Sequence, residues 1–149
     1  MEFSITLRSA QREDCKSVFA WRNDPEVRQH IFDPAPIAWE DHEQWFNKIL
    51  EASDRHLLIG DSEGKSIGVI RIEPVDQEGG EISVYLVPGN SGQGLGSLLI
   101  SKGIEWVAQH HPQIKHLQAK ILGENAASLK AFQRAGFKES YRFYEWHAP

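Results

Sequence analysis

The chain of 149 residues is 40% hydrophobic and 25% charged, which is the balance of one globular domain spanning residues 1–149. Its net charge of −5 argues against a polyanion such as DNA as the main partner, and no apolar stretch approaches the roughly 18 residues of a membrane span. A single cysteine, Cys15, excludes an internal disulfide and suits a reducing compartment. We therefore expect a cytoplasmic protein with neither a nucleic-acid nor a membrane partner.

Alternation and helical spacing of apolar residues predict the elements of the first part of the chain. The segment Phe3–Arg8 alternates as a strand, and Asp14–Arg22 has helical spacing. A short helix is predicted to begin next, because Asp24 is an acidic N-cap and Pro25 occupies the first helical position. Apolar residues at i, i+3, i+4, i+7 and i+8 then predict a helix over Trp39–Glu51.

The remainder of the chain is predicted to add strands and two further helices. The first two of these strands form a hairpin across the turn Asp61–Lys65, and the last segment is predicted to be a closing hairpin. The predicted elements are the strands Arg55–Gly60, Ser66–Glu73, Glu81–Val87 and His116–Leu122, a helix that begins at Leu95, a helix over Asn125–Ala135, and the hairpin from Phe137 to Trp146.

A glycine-dense turn connects the strand ending at Val87 with the helix that begins at Leu95. Three glycines in five residues, Gly92-Gln93-Gly94-Leu95-Gly96, weaken a helix start but leave backbone N–H groups bare. A helix N-terminus attracts phosphate, so the pattern predicts a pyrophosphate site. The spacing differs from the G-x-G-x-x-G of dinucleotide folds and lacks the lysine of a P-loop. A turn that merely joins strand to helix is the alternative.

Two motifs resemble signatures of the GNAT N-acetyltransferases. Leu86-x-Pro88-x-x-Ser91-Gly92-x-Gly94-x-Gly96 resembles their acetyl-CoA motif, with Ser91 where arginine or glutamine is usual. Asn125-Ala126-Ala127-Ser128-x-x-x-Phe132-x-x-x-Gly136-Phe137 resembles a second motif, in which an asparagine reaches the pantetheine and a tyrosine donates a proton to the departing thiolate. Phenylalanine at position 132 cannot donate a proton, so another side chain or water would have to serve.

The resemblance covers essentially the whole chain and implies its fold and its cofactor. The implied fold is mixed α/β, with a mostly antiparallel, seven-stranded sheet, about four helices, and two halves that splay where the cofactor enters. Acetyl-CoA is the implied cosubstrate. Its predicted contacts are Tyr85, Leu86, Val87, Gly92, Gln93, Gly94, Leu95, Gly96, Ser97, Asn125, Ser128 and Phe132.

Acetyl transfer to an amine needs a base for the amine and donors for the oxyanion. The resemblance implies that backbone N–H groups around Val84–Leu86 are those donors and that Glu81 is the base. By strand alternation Glu81, Ser83 and Tyr85 share a face, unless a bulge breaks the parity. Ser83 and Tyr85 could instead position a water or the substrate, and Tyr144 or His147 could donate to sulfur or line the acceptor pocket. Alternatively, Glu81 is a solvated carboxylate, and Tyr144 and His147 are surface residues.

The acceptor is predicted from the segment around the short helix. Trp21, Arg22, Asn23 and Arg28, followed by Trp45, resemble the corresponding part of PseH-like acetyltransferases, which act on a UDP-linked amino sugar, and also of RimJ/RimL-type Nα-acetyltransferases. The arginines could bind a diphosphate and the tryptophan a sugar or base. Alternatively, the tryptophans belong to the core and the arginines pair with Asp24 and Glu26.

The predicted function is thus acetyl-CoA-dependent N-acetylation of a primary amine on a nucleotide-linked amino sugar. A peptide N-terminus or a small amine is the alternative acceptor, and a non-catalytic acyl-CoA-binding module is a further alternative. The partner is a small-molecule amine, with a homodimer left open. Seven histidines lack the spacing of a zinc site, so no metal is predicted.

Overall fold

A five-stranded sheet with strand order β1-β2-β3-β4-β5 organises the structure, a computed structural model that describes residues 4–149. Strands β1 to β4 pair antiparallel with their sequence neighbours, and β5 pairs parallel with β4. The strands are β1 (Thr6–Ser9), β2 (His56–Ser62), β3 (Lys65–Pro74), β4 (Gly79–Leu86) and β5 (His116–Gln118).

The helices begin and end close to their predicted bounds. Asp24 caps α2 as predicted, because its carboxylate accepts the N–H of Glu26 at 2.9 Å and Pro25 follows at the first helical position. Among residues 4–149, no helix combines the length and the apolar character that a membrane crossing requires. The helices are α1 (Cys15–Asn23), α2 (Pro25–Arg28), α3 (Trp39–Glu51), α4 (Leu95–His110) and α5 (Ala126–Arg134), with a 3-10 turn at Arg12–Asp14.

Helices cover both faces of the sheet because successive strand residues point to opposite sides. Helices α4 and α5 pack on one face in a core that includes Ile70, Ile72, Ile82, Leu99 and Ile100. Helices α1 and α3 pack on the other face in a core that includes Val18, Phe46, Leu57, Ile59 and Val69. The apolar face predicted for α3 therefore packs against the sheet.

Glycines bring α4 unusually close to the sheet. A Cβ at Gly60 would lie 2.7 Å from Cδ1 of Leu99, and a Cβ at Gly68 would meet the same side chain. On the helix itself, a Cβ at Gly103 would lie 3.1 Å from Ile70 and 3.2 Å from Ile82. The lack of side chains at these positions therefore fixes the depth at which α4, and with it the loop before α4, lies on the sheet.

The predicted closing hairpin is wrong, and the sheet of the described residues has five strands rather than seven. Gly136 ends α5 with a φ of +100°, Phe137 donates its N–H to the Phe132 carbonyl at 2.9 Å, and residues 137–149 form no regular element. A hairpin needs a turn, and residues 138–146 contain no Gly, Pro, Asn or Asp to make one. The aromatic side chains there are mostly exposed: Tyr141, Phe143, Tyr144 and Trp146.

Other strand bounds also differ from the prediction, among them the end of β2 at Ser62 rather than Gly60 and the start of β4 at Gly79 rather than Glu81. Strand β5 ends at Gln118 rather than at Leu122, because the chain turns away from β4 after three paired residues. The predicted start of the first strand at Phe3 lies outside the described residues, and the described strand begins at Thr6.

Candidate active site

Strands β4 and β5 part after a short stretch of pairing. Only Gly79, Gly80 and Glu81 of β4 pair with β5, so the following residues of β4 have no strand neighbour on that side within the described chain. Val87 donates its N–H to Ile67 at 2.9 Å and therefore faces β3. Because alternate residues of an antiparallel ladder face the same neighbour, Val84 and Leu86 direct their N–H groups into the gap.

A cavity of about 570 Å³ lies at this gap and extends over the face of the sheet that α1 and α3 cover. Its walls come from β3 and β4, from α1 and α3, from the segment between α2 and α3, and from α5. A cavity that reaches both the parted strands and the predicted acceptor segment can hold two reactants side by side. We therefore treat it as the candidate active site.

Glu81 and Ser83 line the cavity from β4, as their predicted shared face requires. The pairing of β3 with β4 continues without a register shift from Gly68 to Pro74, so no bulge disturbs the alternation. The Glu81 carboxylate accepts a hydrogen bond from Gln118 at 3.1 Å and lies 3.7 Å from the Lys120 ammonium. These partners on and beside β5 fix the carboxylate at the edge of the gap.

Helix α5 forms the opposite wall. Asn125 caps the helix by accepting the N–H of Ser128 at 3.1 Å, and its amide nitrogen donates to the His30 carbonyl at 3.3 Å. Both ends of this amide are thus engaged within the protein. Phe132 is buried, lines the cavity, and contacts Phe137 edge-on at a ring distance of 5.0 Å. The wall near the predicted thioester is therefore apolar at position 132.

The glycine loop has the geometry of an anion cradle. Gly92 and Gly94 have φ values of +80° and +75°, the left-handed region that glycine favours, and a Cβ at either position would meet nothing within 4 Å. Gly94 is the N-cap of α4, whose first N–H groups have no partner within the helix. Exposed backbone donors at a helix N-terminus suit a pyrophosphate, so the residues present fit acetyl-CoA.

The other predicted cofactor residues differ in their exposure and in their contacts. Gln93 is exposed in the loop, while Leu95 is buried beneath it. Ser97 donates its hydroxyl to the Gly94 carbonyl at 3.3 Å. Gly96 faces α5, since a Cβ there would lie 3.3 Å from Ala131.

Tyr85 differs from its neighbours on β4. Leu86 packs on the α4 face, whereas Tyr85 points to the other face, into the cavity. The Tyr85 hydroxyl is buried without a hydrogen-bond partner, and this burial raises the pKa of the phenol well above its usual value.

Two of the five predicted acceptor residues line the cavity, namely Arg22 and Trp45. The Arg22 guanidinium donates from Nη2 to the Asp33 carbonyl at 3.0 Å, whereas its Nη1 is buried without a partner. Burial lowers the pKa of Arg22. Trp21 instead packs against the core beneath α1 and α3.

Asn23 and Arg28 hold the backbone of the segment between α2 and α3. The Asn23 amide forms paired hydrogen bonds with Ile37, at 3.0 and 2.8 Å. Arg28 donates to the Asn23 carbonyl at 2.9 Å and to the Pro34 carbonyl at 3.3 Å. Neither residue lines the cavity, so the structure places both as supports of the acceptor segment.

Tyr144 and His147 lie in the C-terminal segment and are not among the residues that line the cavity. Sequence reasoning missed Arg71 and Lys120, which do line it. Arg71 stands opposite Ser83 on β3, so the strand register would have been needed to find it. No group of three metal-ligating side chains occurs among residues 4–149.

Three features together define a CoA-dependent acyltransferase: the parted strands, the glycine loop at a helix N-terminus, and a carboxylate that lines the cavity. The chain belongs to the GNAT acetyltransferase family, because the model of the acetyltransferase (GNAT) domain matches residues 4–138. It is an N-acetyltransferase of that family, with acetyl-CoA as the acetyl donor.

Similar proteins act on different amines. YwnH of Bacillus subtilis, assigned provisionally as a phosphinothricin acetyltransferase, is 30% identical over 142 residues, which cover 91% of this chain and 85% of YwnH. The acetyltransferase PseH of Campylobacter jejuni is 24% identical over 125 residues, which cover 84% of this chain and 77% of PseH. The structure of Vibrio cholerae spermidine N-acetyltransferase with CoA and spermine has a TM-score of 0.82 at 17% identity, over 92% of this chain and 82% of that one.

Proposed function

We propose that this N-acetyltransferase acts on the primary amine of a nucleotide-linked amino sugar. The observation that carries the proposal is Arg22, a residue that lines the cavity and whose Nη1 is buried without a hydrogen-bond partner. A buried guanidinium N–H left unpaired is costly, and an anionic acceptor would remove that cost. Trp45 lines the same cavity and offers a flat apolar surface for a sugar ring. The resemblance of the acceptor segment to PseH-like acetyltransferases supports the same class of acceptor, and PseH of Campylobacter jejuni is among the proteins similar to this chain.

The cofactor would be held by the loop Gly92–Gly96 and the first N–H groups of α4. Bound there, acetyl-CoA supplies an acetyl group activated as a thioester. The N–H groups of Val84 and Leu86, which point into the gap, are placed to stabilise negative charge that develops on the carbonyl oxygen. They are part of the strand backbone, so they need no rearrangement to act.

Glu81 is the proposed general base. It lines the cavity on the same strand as these donors, and Gln118 and Lys120 hold its carboxylate at the edge of the gap. An amine must lose a proton as it is acylated, and a carboxylate at this place can accept that proton directly or through a water. Ser83, the next residue on the same face, is proposed to position that water or the acceptor.

Phe132 leaves the protonation of the departing thiolate to another group. Ser128 lies one turn earlier on α5 and also lines the cavity, so its hydroxyl or a water is the available source of the proton. Tyr144 would reach this position only if the C-terminal segment moved, because its side chain is 81% exposed.

An amino acid with a second acidic group is the other candidate acceptor, favoured by the 30% identity to YwnH. It would use Arg22 in the same way. A polyamine fits the cavity less well, because Arg22, Arg71 and Lys120 would face its cationic chain.

The test is an acceptor panel in which release of CoA is measured with acetyl-CoA. The panel contains a UDP-linked 4-amino sugar, phosphinothricin, spermidine, an aminoglycoside and a peptide with a free N-terminus. The proposal predicts the highest kcat/KM for the UDP-linked amino sugar. A higher kcat/KM for phosphinothricin would establish the second candidate, and turnover of spermidine or the peptide alone would overturn both.

A further inference from the structure

The buried polar atoms without a hydrogen-bond partner include Nη1 of Arg22 and the hydroxyl of Tyr85, and both residues line the cavity. They come from different elements, α1 and β4, yet each side chain lies within the electrostatic influence of the other. A buried donor without an acceptor is rare in folded proteins and is usually matched by a ligand or an ordered water. A phenol is protonated at neutral pH, so the Tyr85 hydroxyl can donate a hydrogen bond.

Arg71 also lines the cavity, within electrostatic range of both groups, and together with Arg22 it forms a cationic set. Its Nη2 is 3.5 Å from the Ser83 hydroxyl, and its Nε lies 2.7 Å from a Glu73 oxygen without hydrogen-bond alignment. Ser83 is two residues from Glu81 on the same face, a separation of about 7 Å along a strand. The cationic set is therefore about one sugar ring away from the proposed base.

The remaining arginine of the acceptor segment is already committed. Arg28 donates to the carbonyls of Asn23 and Pro34 and does not line the cavity, so a diphosphate at the cavity mouth would have to compete with those bonds. The unpaired donors are instead those of Arg22 and Tyr85, which belong to the cavity wall.

We infer that Arg22, Arg71 and Tyr85 form an oxyanion subsite that binds the phosphate attached directly to the amino sugar, and that the nucleotide beyond it contributes little to recognition. The inference rests on the proposed function, because it assumes an amino-sugar acceptor. It follows that an amino sugar 1-phosphate is a sufficient acceptor. The three side chains select for a phosphate near the amine rather than for a base or ribose.

The experiment compares three acceptors of increasing size: a neutral 4-amino sugar, its 1-phosphate, and its UDP derivative. Initial rates with each would give KM and kcat for the wild type and for the variants Arg22→Ala and Tyr85→Phe. Arg134→Ala, an exposed arginine at the end of α5, is the matched control. Circular dichroism and KM for acetyl-CoA establish that each variant is folded and binds its cofactor.

We expect the 1-phosphate and the UDP derivative to have KM values within about threefold of each other, and the neutral sugar to have a KM at least tenfold higher. Arg22→Ala should raise KM roughly tenfold or more for the two phosphorylated acceptors, because a charge-assisted hydrogen bond is lost, and should raise it by a much smaller factor for the neutral sugar, through the lost bond to the Asp33 carbonyl. Tyr85→Phe should act in the same direction with a smaller factor.

A 1-phosphate as poor as the neutral sugar, beside a good UDP derivative, would overturn the inference while the proposed function stands. Equal effects of Arg22→Ala on neutral and phosphorylated acceptors would also overturn it, since the role of Arg22 would then be structural. Failure of all three acceptors, beside turnover of another amine, would remove the proposed function and the inference together.

Discussion

Replacing Glu81 with glutamine is the sharpest test of the catalytic proposal. Glutamine has the same shape and keeps an oxygen that can accept the Gln118 hydrogen bond, now at 3.1 Å, but it cannot take a proton at neutral pH. The interaction with Lys120 at 3.7 Å would be lost, and because that lysine is 58% exposed the pair contributes about 0–1 kcal/mol to stability. The fold should therefore survive the change.

The expected loss in rate is far larger than this loss in stability. General base catalysis contributes typically about 10²–10⁴-fold, which is roughly 2.7–5.5 kcal/mol of activation free energy. At pH 7 we expect kcat/KM of Glu81→Gln to fall by a factor in that range. As the pH rises from 7 to 9, the variant should regain part of the lost rate, because a growing fraction of the acceptor amine arrives already neutral.

The assay is a pH–rate profile of CoA release with Glu73→Gln as the matched control. Glu73 stands directly opposite Glu81 on β3, pairs with Arg71 and does not line the cavity. Its variant should keep the shape of the wild-type profile, even if KM for the acceptor changes through Arg71. A Glu81→Gln enzyme within threefold of the wild type at every pH would refute Glu81 as the base.

Three further predictions concern the cofactor, the thiolate and stability. Gly94→Val should abolish acetyl-CoA binding in calorimetry, because its φ of +75° strains a β-branched residue and the side chain covers the anion cradle; unchanged affinity in a folded variant would contradict the cofactor site. Phe132→Tyr should leave kcat unchanged or raise it modestly by adding a proton donor, and a large fall would mean that the phenyl face is needed for packing. Asp14 has a pKa below its usual range because Arg8 hydrogen-bonds its carboxylate, so the folded state gains stability above the unfolded pKa and loses it as the pH falls through the folded value. Asp14→Asn should therefore lower the free energy of unfolding by roughly 1–2 kcal/mol at pH 7, with a difference that shrinks below about pH 4 in chemical denaturation; a constant difference would contradict the linkage.

Local patterns in the sequence predicted most of the fold. Strand-type runs separated by turns predicted β2 to β4, helical spacing predicted α3, and Asp24 with Pro25 marked the start of α2. The glycine loop was predicted from residue type alone, and its left-handed φ angles explain why glycine occurs there. These features depend on neighbours within one element, which is why a single sequence reveals them.

Features that depend on distant contacts were not predicted. Arg71 and Lys120 enter the cavity through strand register and through the path of the chain after β5. Arg28 looked like a free phosphate ligand, but it donates to the carbonyl of Asn23 at the end of α1 and to that of Pro34 in the loop after α2, whose course the sequence does not reveal. The closing hairpin failed for a related reason, since alternation creates a strand only where a turn and a partner edge are also present.

The glycine contacts beneath α4 have a consequence for protein engineering. Gly60 and Gly68 lie on β2 and β3, and the side chain of Leu99 packs directly above them. This contact sets the height of α4, whose first turn completes the cofactor loop. A loop transplanted from a relative would arrive at the correct height only if the recipient kept both glycines and the leucine. Grafting the loop and the sheet glycines as one module should therefore succeed where exchanging the loop alone misplaces it.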